Sequence, residues 1–412
     1  MNQHRHAGRA HGSSATWGGP IRVAAAVLTA ALATVGVAAA LVSLRMARKV
    51  VTPTKRASDT LIVDLDTSAQ TITLTSTPDT RLPGRYGLFT KGTESYVKLG
   101  TVLAETDTTV TRKLLTQIDN DSQLDADAAF SGWYFDRPEQ LHLPFSSELI
   151  GSPLGPCPAW LFPPADAQAS IADTWVVQVH GRGTTRAETL RAVPVFRDLG
   201  MTSLLVSYRN DGEAPRSRAG TYSLGATEWR DVDAAVAFAL RRGAKRIVLM
   251  GWSMGGAIVL QLALNSVHAD SIVGIVLDSP VTDWRLVLGF QARELGVPGA
   301  VSNLALGALQ SDFSGLLART DAPIPFDKLD VVVRANELRH PMLILHSDDD
   351  GFVPSGGSHE LAAERPDLVT LETFHIARHT KLWNYDQIRW SDTITSWLRE
   401  QGLFEAPAVA DS

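Results

Sequence analysis

Ser253 stands in Gly251-Trp252-Ser253-Met254-Gly255, directly after the apolar run Arg246-Ile247-Val248-Leu249-Met250 and before the helix-forming stretch Gly256 to Leu264. A buried strand, a sharp turn carrying serine and then a helix expose one hydroxyl for nucleophilic attack. Such a turn strains the serine backbone and leaves no room for side chains two residues to either side, where glycine stands at both places. The competing reading is a glycine-rich turn with an incidental serine. The rest of the sequence decides between them.

A serine nucleophile needs a base, and imidazole, with an ordinary pKa of about 6.5, titrates in the useful range. His379 is the candidate, in the loop Ile376-Ala377-Arg378-His379-Thr380-Lys381 between the strand-like Val369 to Phe374 and the final helix. His375, at the end of that strand-like run, competes with it, and a packed histidine is expected there. The acid that orients the base is sought in His346-Ser347-Asp348-Asp349-Asp350-Gly351-Phe352-Val353-Pro354, after the strand-like Met342 to Leu345. Spacing from His346 and to Val353-Pro354 favours Asp350, with Asp348 and Asp349 as alternatives. Asp278, after the strand-like run ending at Leu277, is a weaker match.

A third element is His180-Gly181-Arg182-Gly183, after the run ending at Val179. Its glycines let the backbone curl toward the nucleophile, so that the N–H groups of Arg182 and Met254 together hold a developing oxyanion. Loss of one such donor costs about 2.7–4 kcal/mol. The His180 side chain reads as a structural pin. Tyr208 and Arg209 follow another strand-like run and are candidate substrate contacts, although a loop arginine commonly pairs with a nearby acid instead.

The elements that must position these residues are short, near-continuous apolar runs: Trp175 to Val179, Thr202 to Ser207, Arg246 to Met250, Ile272 to Leu277 and Met342 to Leu345. Amphipathic stretches at Thr185 to Leu199, Ala226 to Arg242 and Met254 to Leu264 separate the earlier ones. This alternation predicts an α/β fold with a mostly parallel sheet covered on both faces, whose ligands gather beyond the carboxyl ends of the strands. Ser146 to Ile150 and Ala159 to Phe162 read as an antiparallel pair leading into the sheet. Residues 281–339 interrupt the pattern, as a lid or as an extra helical layer. Upstream, residues 60–130 show short alternating runs separated by turns, a small β-rich accessory module or a sheet laid on the main one. They hold no cluster of ligating side chains at metal spacing, which points to a structural or docking role.

Taken together, the H-G-x-G, G-W-S-M-G-G, H-S-D-D-D-G-F-V-P and A-R-H-T segments make the chain from about Ser146 to Leu398 similar to the α/β-hydrolase superfamily. It resembles the branch containing prolyl-oligopeptidase-like and serine-aminopeptidase-like enzymes and their esterase relatives. The chain order Ser, Asp, His agrees with that family. The resemblance implies an eight-stranded, mostly parallel sheet with helices on both faces over residues 146–403 and a cap inserted after the sixth strand, which suits 281–339. It also implies Ser253, Asp350 and His379 as the catalytic set, with no metal or organic cofactor. Ser347 departs from the glycine usual after the histidine of the acid motif. The β-rich piece before the hydrolase unit is too short for a propeller domain, so the resemblance does not by itself imply an oligopeptidase substrate.

A net charge of -6 with scattered basic residues argues against a nucleic-acid partner. The one cysteine, Cys157, cannot form an intrachain disulfide and reads as packing. After a polar tail over residues 1–22, the stretch Val23 to Leu44 carries no charge. At about 22 residues it is long enough to cross a bilayer core of about 30 Å, whereas signal-peptide apolar regions span only about 7–15. The expectation is a single-pass, membrane-anchored serine hydrolase acting on a small-molecule carboxylic ester through an acyl-enzyme, with the side of the membrane left open. A serine peptidase acting on small peptides or amides and a non-catalytic scaffold are the alternatives; the partner of the β-rich module is unknown.

Overall fold

A long helix, a small barrel and a large sheet follow one another along the chain in this computed structural model, which describes residues 18–54, 56, 58–166 and 173–403. Helix α1 (Gly18–Val51) contains the uncharged run 23–44. Residues 1–17 of the polar tail lie outside the described residues, as do the side chains of residues 18–26, 28–33 and 35. Among the described residues no helix is long and apolar enough to cross a membrane. The last turns of α1 are docked. Ala47 and Val51 are fully buried, Ser43 Oγ donates to the Val301 carbonyl at 2.9 Å, and Arg48 Nε donates to the Leu317 carbonyl at 3.0 Å.

Strands β1 (Thr60–Asp66), β2 (Thr71–Thr75), β3 (Tyr86–Phe89), β4 (Tyr96–Glu105), β5 (Thr109–Leu114) and β6 (Asp127–Ser131) close as a barrel in the order β1-β2-β5-β4-β3-β6. The β-rich module is therefore a closed unit of its own rather than a sheet laid on the main one. The sequence pattern finds the first five strands and misses β6. Four of its five residues are buried, so it lacks the alternation of a half-exposed strand. By pairing with both β1 and β3 it removes the open edges.

Ile72, Leu74, Leu88, Val97 and Leu99 fill this core, and Arg112 lies among them with no exposure. Its guanidinium donates to the carbonyls of Thr80, Leu82, Gly84 and Gly100 at 2.8–3.0 Å. A buried charge needs such partners, and four carbonyl dipoles serve where a carboxylate would be usual. Burial pushes this guanidinium down to about 10.

The main sheet comprises β7 (Ser146–Ser152), β8 (Gly155–Phe162), β9 (Thr174–Val179), β10 (Thr202–Val206), β11 (Arg246–Trp252), β12 (Ile272–Asp278), β13 (Met342–Ser347) and β14 (Val369–Phe374), in the order β14-β13-β12-β11-β9-β10-β8-β7. From β10 to β14 the pairing is parallel, and β7 and β8 add an antiparallel edge. Every residue of β9 and β13 is buried, as apolar runs covered on both faces require.

Helices α2 (Val193–Asp198), α3 (Trp229–Arg241) and α4 (Met254–Asn265) follow β9, β10 and β11. The helix predicted over 185–199 is divided. Residues Arg186–Ala192 form a 3-10 turn, and α2 starts where Pro194 lacks an N–H to continue the preceding turn. Helices α5 (Trp284–Glu294), α6 (Gly299–Gln310), α7 (Ser314–Leu317) and α8 (Phe326–Leu329) form the insertion between β12 and β13. The last helices are α9 (Gly356–Glu364), α10 (Leu382–Tyr385) and α11 (Gln387–Glu400). One face of the sheet packs against α3, α4 and the insertion. The other packs against α2 and α11 through Phe196, Trp390 and Trp397.

Replacing Arg112 with Met leaves four inward-facing carbonyls without a donor and is expected to cost about 3 kcal/mol. Urea unfolding together with hydrogen exchange in β4 and β5 reads the loss. Arg112→Lys should recover only part of it, because an ammonium cannot reproduce the planar fork.

Candidate active site

The predicted turn after β11 is present, with Ser253 at φ 52° and ψ −118° between the strand and α4. The flanking glycines are dictated by contact. A Cβ on Gly255 would stand 2.2 Å from the Val179 carbonyl oxygen, and one on Gly251 would stand 2.6 Å from that of Gly255. The turn is pressed against the end of β9, and only residues without side chains fit there.

His379 Nε2 lies 3.0 Å from Ser253 Oγ, and His379 Nδ1 lies 2.7 Å from Asp350 Oδ2. Asp350 is 4% exposed, and its Oδ1 accepts the backbone N–H groups of Phe352 at 2.9 Å and Val353 at 2.8 Å. His346, on β13, stands 3.4 Å from Asp350 Oδ2 and is itself held against Ser358 Oγ and the Val353 carbonyl. Burial alone would raise the Asp350 carboxyl. The charge of His379 and the hydrogen bonds from His346 and His379 outweigh it, holding the carboxyl well below the usual range. A serine hydroxyl, an imidazole and a buried carboxylate so arranged can move a proton off the hydroxyl and keep the ring in one tautomer.

The other candidates fall elsewhere. His375 is exposed, with Nδ1 3.3 Å from Asp348, so the expectation of a packed residue is corrected: β14 ends at Phe374 and the next side chain leaves the sheet. Asp349 meets Arg378 at 3.3 Å. Asp278 is fully buried, accepting from Trp390 Nε1 and Ser279 Oγ at 3.0 Å each, and burial pushes its carboxyl up.

The His180 loop approaches Ser253 closely, since a Cβ on Gly181 would stand 3.3 Å from Ser253 Cβ. Buried His180 meets Asp211 at 3.2 Å and stacks on Tyr208 at 4.3 Å between centroids. The Gly181 N–H is occupied by Glu188 Oε2 at 2.8 Å. Among the described residues, the backbone N–H groups of Arg182 and Met254 meet no protein acceptor.

Tyr208 and Arg209, the candidate substrate contacts, border neither cavity beside the site. The Tyr208 hydroxyl donates to the Gly181 carbonyl at 2.9 Å and props the loop. Arg209 is spent in a buried ion pair with Asp231, at 2.7 and 2.8 Å, the pairing that competes with substrate for any loop arginine.

Sequence reasoning missed Glu188 and Arg191. Arg191, 2% exposed, donates through Nη1 to the carbonyls of Gly132 (3.1 Å) and Thr380 (2.7 Å) and to Asn384 Oδ1 (3.0 Å), bracing the turn that follows His379. The available signal was a pair of charges inside an otherwise apolar, buried stretch.

Two cavities flank the site. One, about 290 Å³, is bordered by His379, Glu188, Arg378, Lys381 and, from beside the barrel, Arg56. The other, about 520 Å³, lies between α1 and the insertion and is bordered by Arg182. Gly351 and Phe352 border both, and Ser253 itself borders neither.

Residues 176–401, more than half of the chain, match the alpha/beta hydrolase family. The chain belongs to that family of hydrolases. Residues 61–131, the barrel, match a family described as a domain of unknown function. No curated protein matches the chain. Among solved structures it is similar to the Pyrococcus furiosus esterase Pf2001, at 18% identity and a TM-score of 0.49, covering 64% of this chain and 94% of that one. It is also similar to the esterase RhEst1 from Rhodococcus, at 18% identity, TM-score 0.44, 62% and 100% coverage. A third is Est1E from Butyrivibrio proteoclasticus, at 16% identity, TM-score 0.47, 62% and 98% coverage.

Gly255→Ala must displace the end of β9 and is expected to cost at least about 1–3 kcal/mol, read as a lowered thermal midpoint. The Asp350 carboxyl is depressed in the folded state relative to an unfolded value of about 3.9, so its ionised form stabilises the fold at neutral pH. That contribution is held down to about pH 4 and is lost as pH falls from there through the lower value of the folded state. Asp350→Asn should therefore melt below the wild type at about pH 7, and the gap should narrow toward about pH 3. Thermal melts across that range measure it.

Proposed function

We propose that this protein is a membrane-anchored serine hydrolase that cleaves a carboxylic ester through an acyl-enzyme. Ser253 attacks the carbonyl while His379 takes its proton and returns it to the leaving alcohol. Asp350 holds the imidazole in its tautomer and stabilises the imidazolium. The backbone N–H groups of Arg182 and Met254 receive the oxyanion. Water then repeats the sequence on the acyl-enzyme and frees the acid. The observation that carries this reading is the unbroken relay from Asp350 to His379 at 2.7 Å and from His379 to Ser253 at 3.0 Å. Ester rather than amide follows from the chemistry this fold most often hosts.

Anchoring is supported by the uncharged run 23–44, which has the length to span a bilayer. The docked last turns of α1 would then hold the catalytic body directly against its anchor, without an intervening linker.

Labelling with a fluorophosphonate probe should mark the wild type and not Ser253→Ala, and Ser253→Ala should lose roughly 10⁴-fold or more in kcat on short-chain aryl esters. Equal labelling of both proteins, or of neither, removes Ser253 as nucleophile and leaves a scaffold. Turnover of aminoacyl amides but not aryl esters makes the protein a peptidase. Separately, the full-length protein should stay in the membrane fraction through an alkaline carbonate wash and be released by detergent. Release by carbonate alone contradicts the anchor.

A further inference from the structure

The two cavities beside Ser253 differ in chemistry, and their borders assign them to the two halves of an ester. Resting on the ester-hydrolase reading, the leaving alcohol must stand next to His379, because that imidazole supplies its proton. His379 borders the smaller cavity, together with Arg56, Glu188, Arg378 and Lys381. The acyl group then lies on the other side of the reacting carbon, toward Arg182, which borders the larger cavity, from which His379 is absent. At about 520 Å³ that cavity has the size of sites that enclose small molecules.

We infer that the larger cavity receives the acyl chain of the substrate and that α1 forms one of its walls. The N-terminal helix, which lies outside the hydrolase domain in sequence, thereby sets acyl-chain preference. Met46 and Val50, four residues apart and half-buried, turn one face of α1 to the cavity, and half-buried Leu288 and Leu306 meet it from the insertion, with the exposed Val42 and Leu295 at its rim. A lining of that kind binds methylene groups and offers little to a polar alcohol. The charged residues Arg45, Lys49 and Glu294 on its border are exposed, as are Val42 and Leu295, so these residues mark its open mouth, with the half-buried apolar side chains beneath them.

The wall is fixed in place. Besides the contacts of Ser43 and Arg48 with the insertion, the Val51 carbonyl accepts the Tyr222 N–H at 2.8 Å, and the Lys49 carbonyl accepts from Arg182 Nη2 at 2.6 Å. Phe352 stands at the junction, bordering both cavities with its ring 5.2 Å from that of His379. The substrate class that fits is an amphipathic ester with an apolar acyl chain and a polar alcohol.

The test is the full-length protein in detergent, assayed on p-nitrophenyl esters from acetate to dodecanoate. Met46→Trp fills the cavity from the α1 side and should lower kcat/KM on decanoate relative to butyrate about tenfold or more. Met46→Ala widens the cavity and should move the optimum to longer chains. Leu304→Trp, on α6 away from the cavity, should leave the ratio unchanged. Unaltered chain-length profiles in both Met46 variants, or an equal loss at every length, overturn the assignment while leaving the ester reading intact. A wild type that turns over no ester of any length overturns both.

Discussion

Everything around the site depends on one close approach, the packing of the Ser253 turn against the end of β9. The carbonyls of Val179 and His180 occupy the space a side chain at Gly255 would need. That contact fixes the turn and the His180 loop relative to each other, because the loop begins where β9 ends. The strain recorded in the positive φ of Ser253 is sustained by the surrounding sheet: the Ser253 N–H donates to the Asp278 carbonyl at 3.1 Å, and its own carbonyl accepts from Val281 at 3.2 Å. A hydroxyl aimed by neighbouring strands in this way already stands within hydrogen-bond distance of His379.

Around the turn, buried charges hold loops. Glu188 ties down Gly181, Arg191 ties the His379 turn to Gly132 and Asn384, and Arg209 with Asp231 stiffens the loop after β10. Each would be costly if left unpaired, and each is engaged with backbone or with an opposite charge, Arg191 through Nη1 alone. The result is a set of loops with few alternative conformations at the carboxyl edge of the sheet.

Much of this was readable in the residue order. The turn glycines, the strand ends and the alternation of apolar runs with amphipathic stretches are local signals, and they mark the sheet, the insertion and the positions of Ser253, Asp350 and His379. What the sequence withheld is tertiary. That Arg209 pairs with an acid was the expected outcome for a loop arginine, but which acid was not, because Asp231 is distant along the chain. The braces Glu188 and Arg191 carry no motif, and β6 is buried on both faces and so has no alternation. The closure of the barrel and the docking of α1 onto α6 depend on pairings that no single segment encodes.

The barrel meets the hydrolase body at more than one place, through ion pairs of Asp79 with Arg378 and Lys381 and through a backbone clasp. Arg85 N–H donates to the Asn384 carbonyl at 3.2 Å, Asn384 Nδ2 donates to the Arg85 carbonyl at 2.7 Å, and a Cβ on Gly84 would stand 2.0 Å from that same Asn384 oxygen. Arg112 gathers the adjoining Gly84 carbonyl into the barrel interior, and Arg191 gathers Asn384 toward the turn after His379. The two modules are thus not beads on a string. Melting the barrel would slacken the backbone beneath the imidazole, and an evolutionary exchange of the barrel for another domain would have to rebuild that clasp before the enzyme could work again.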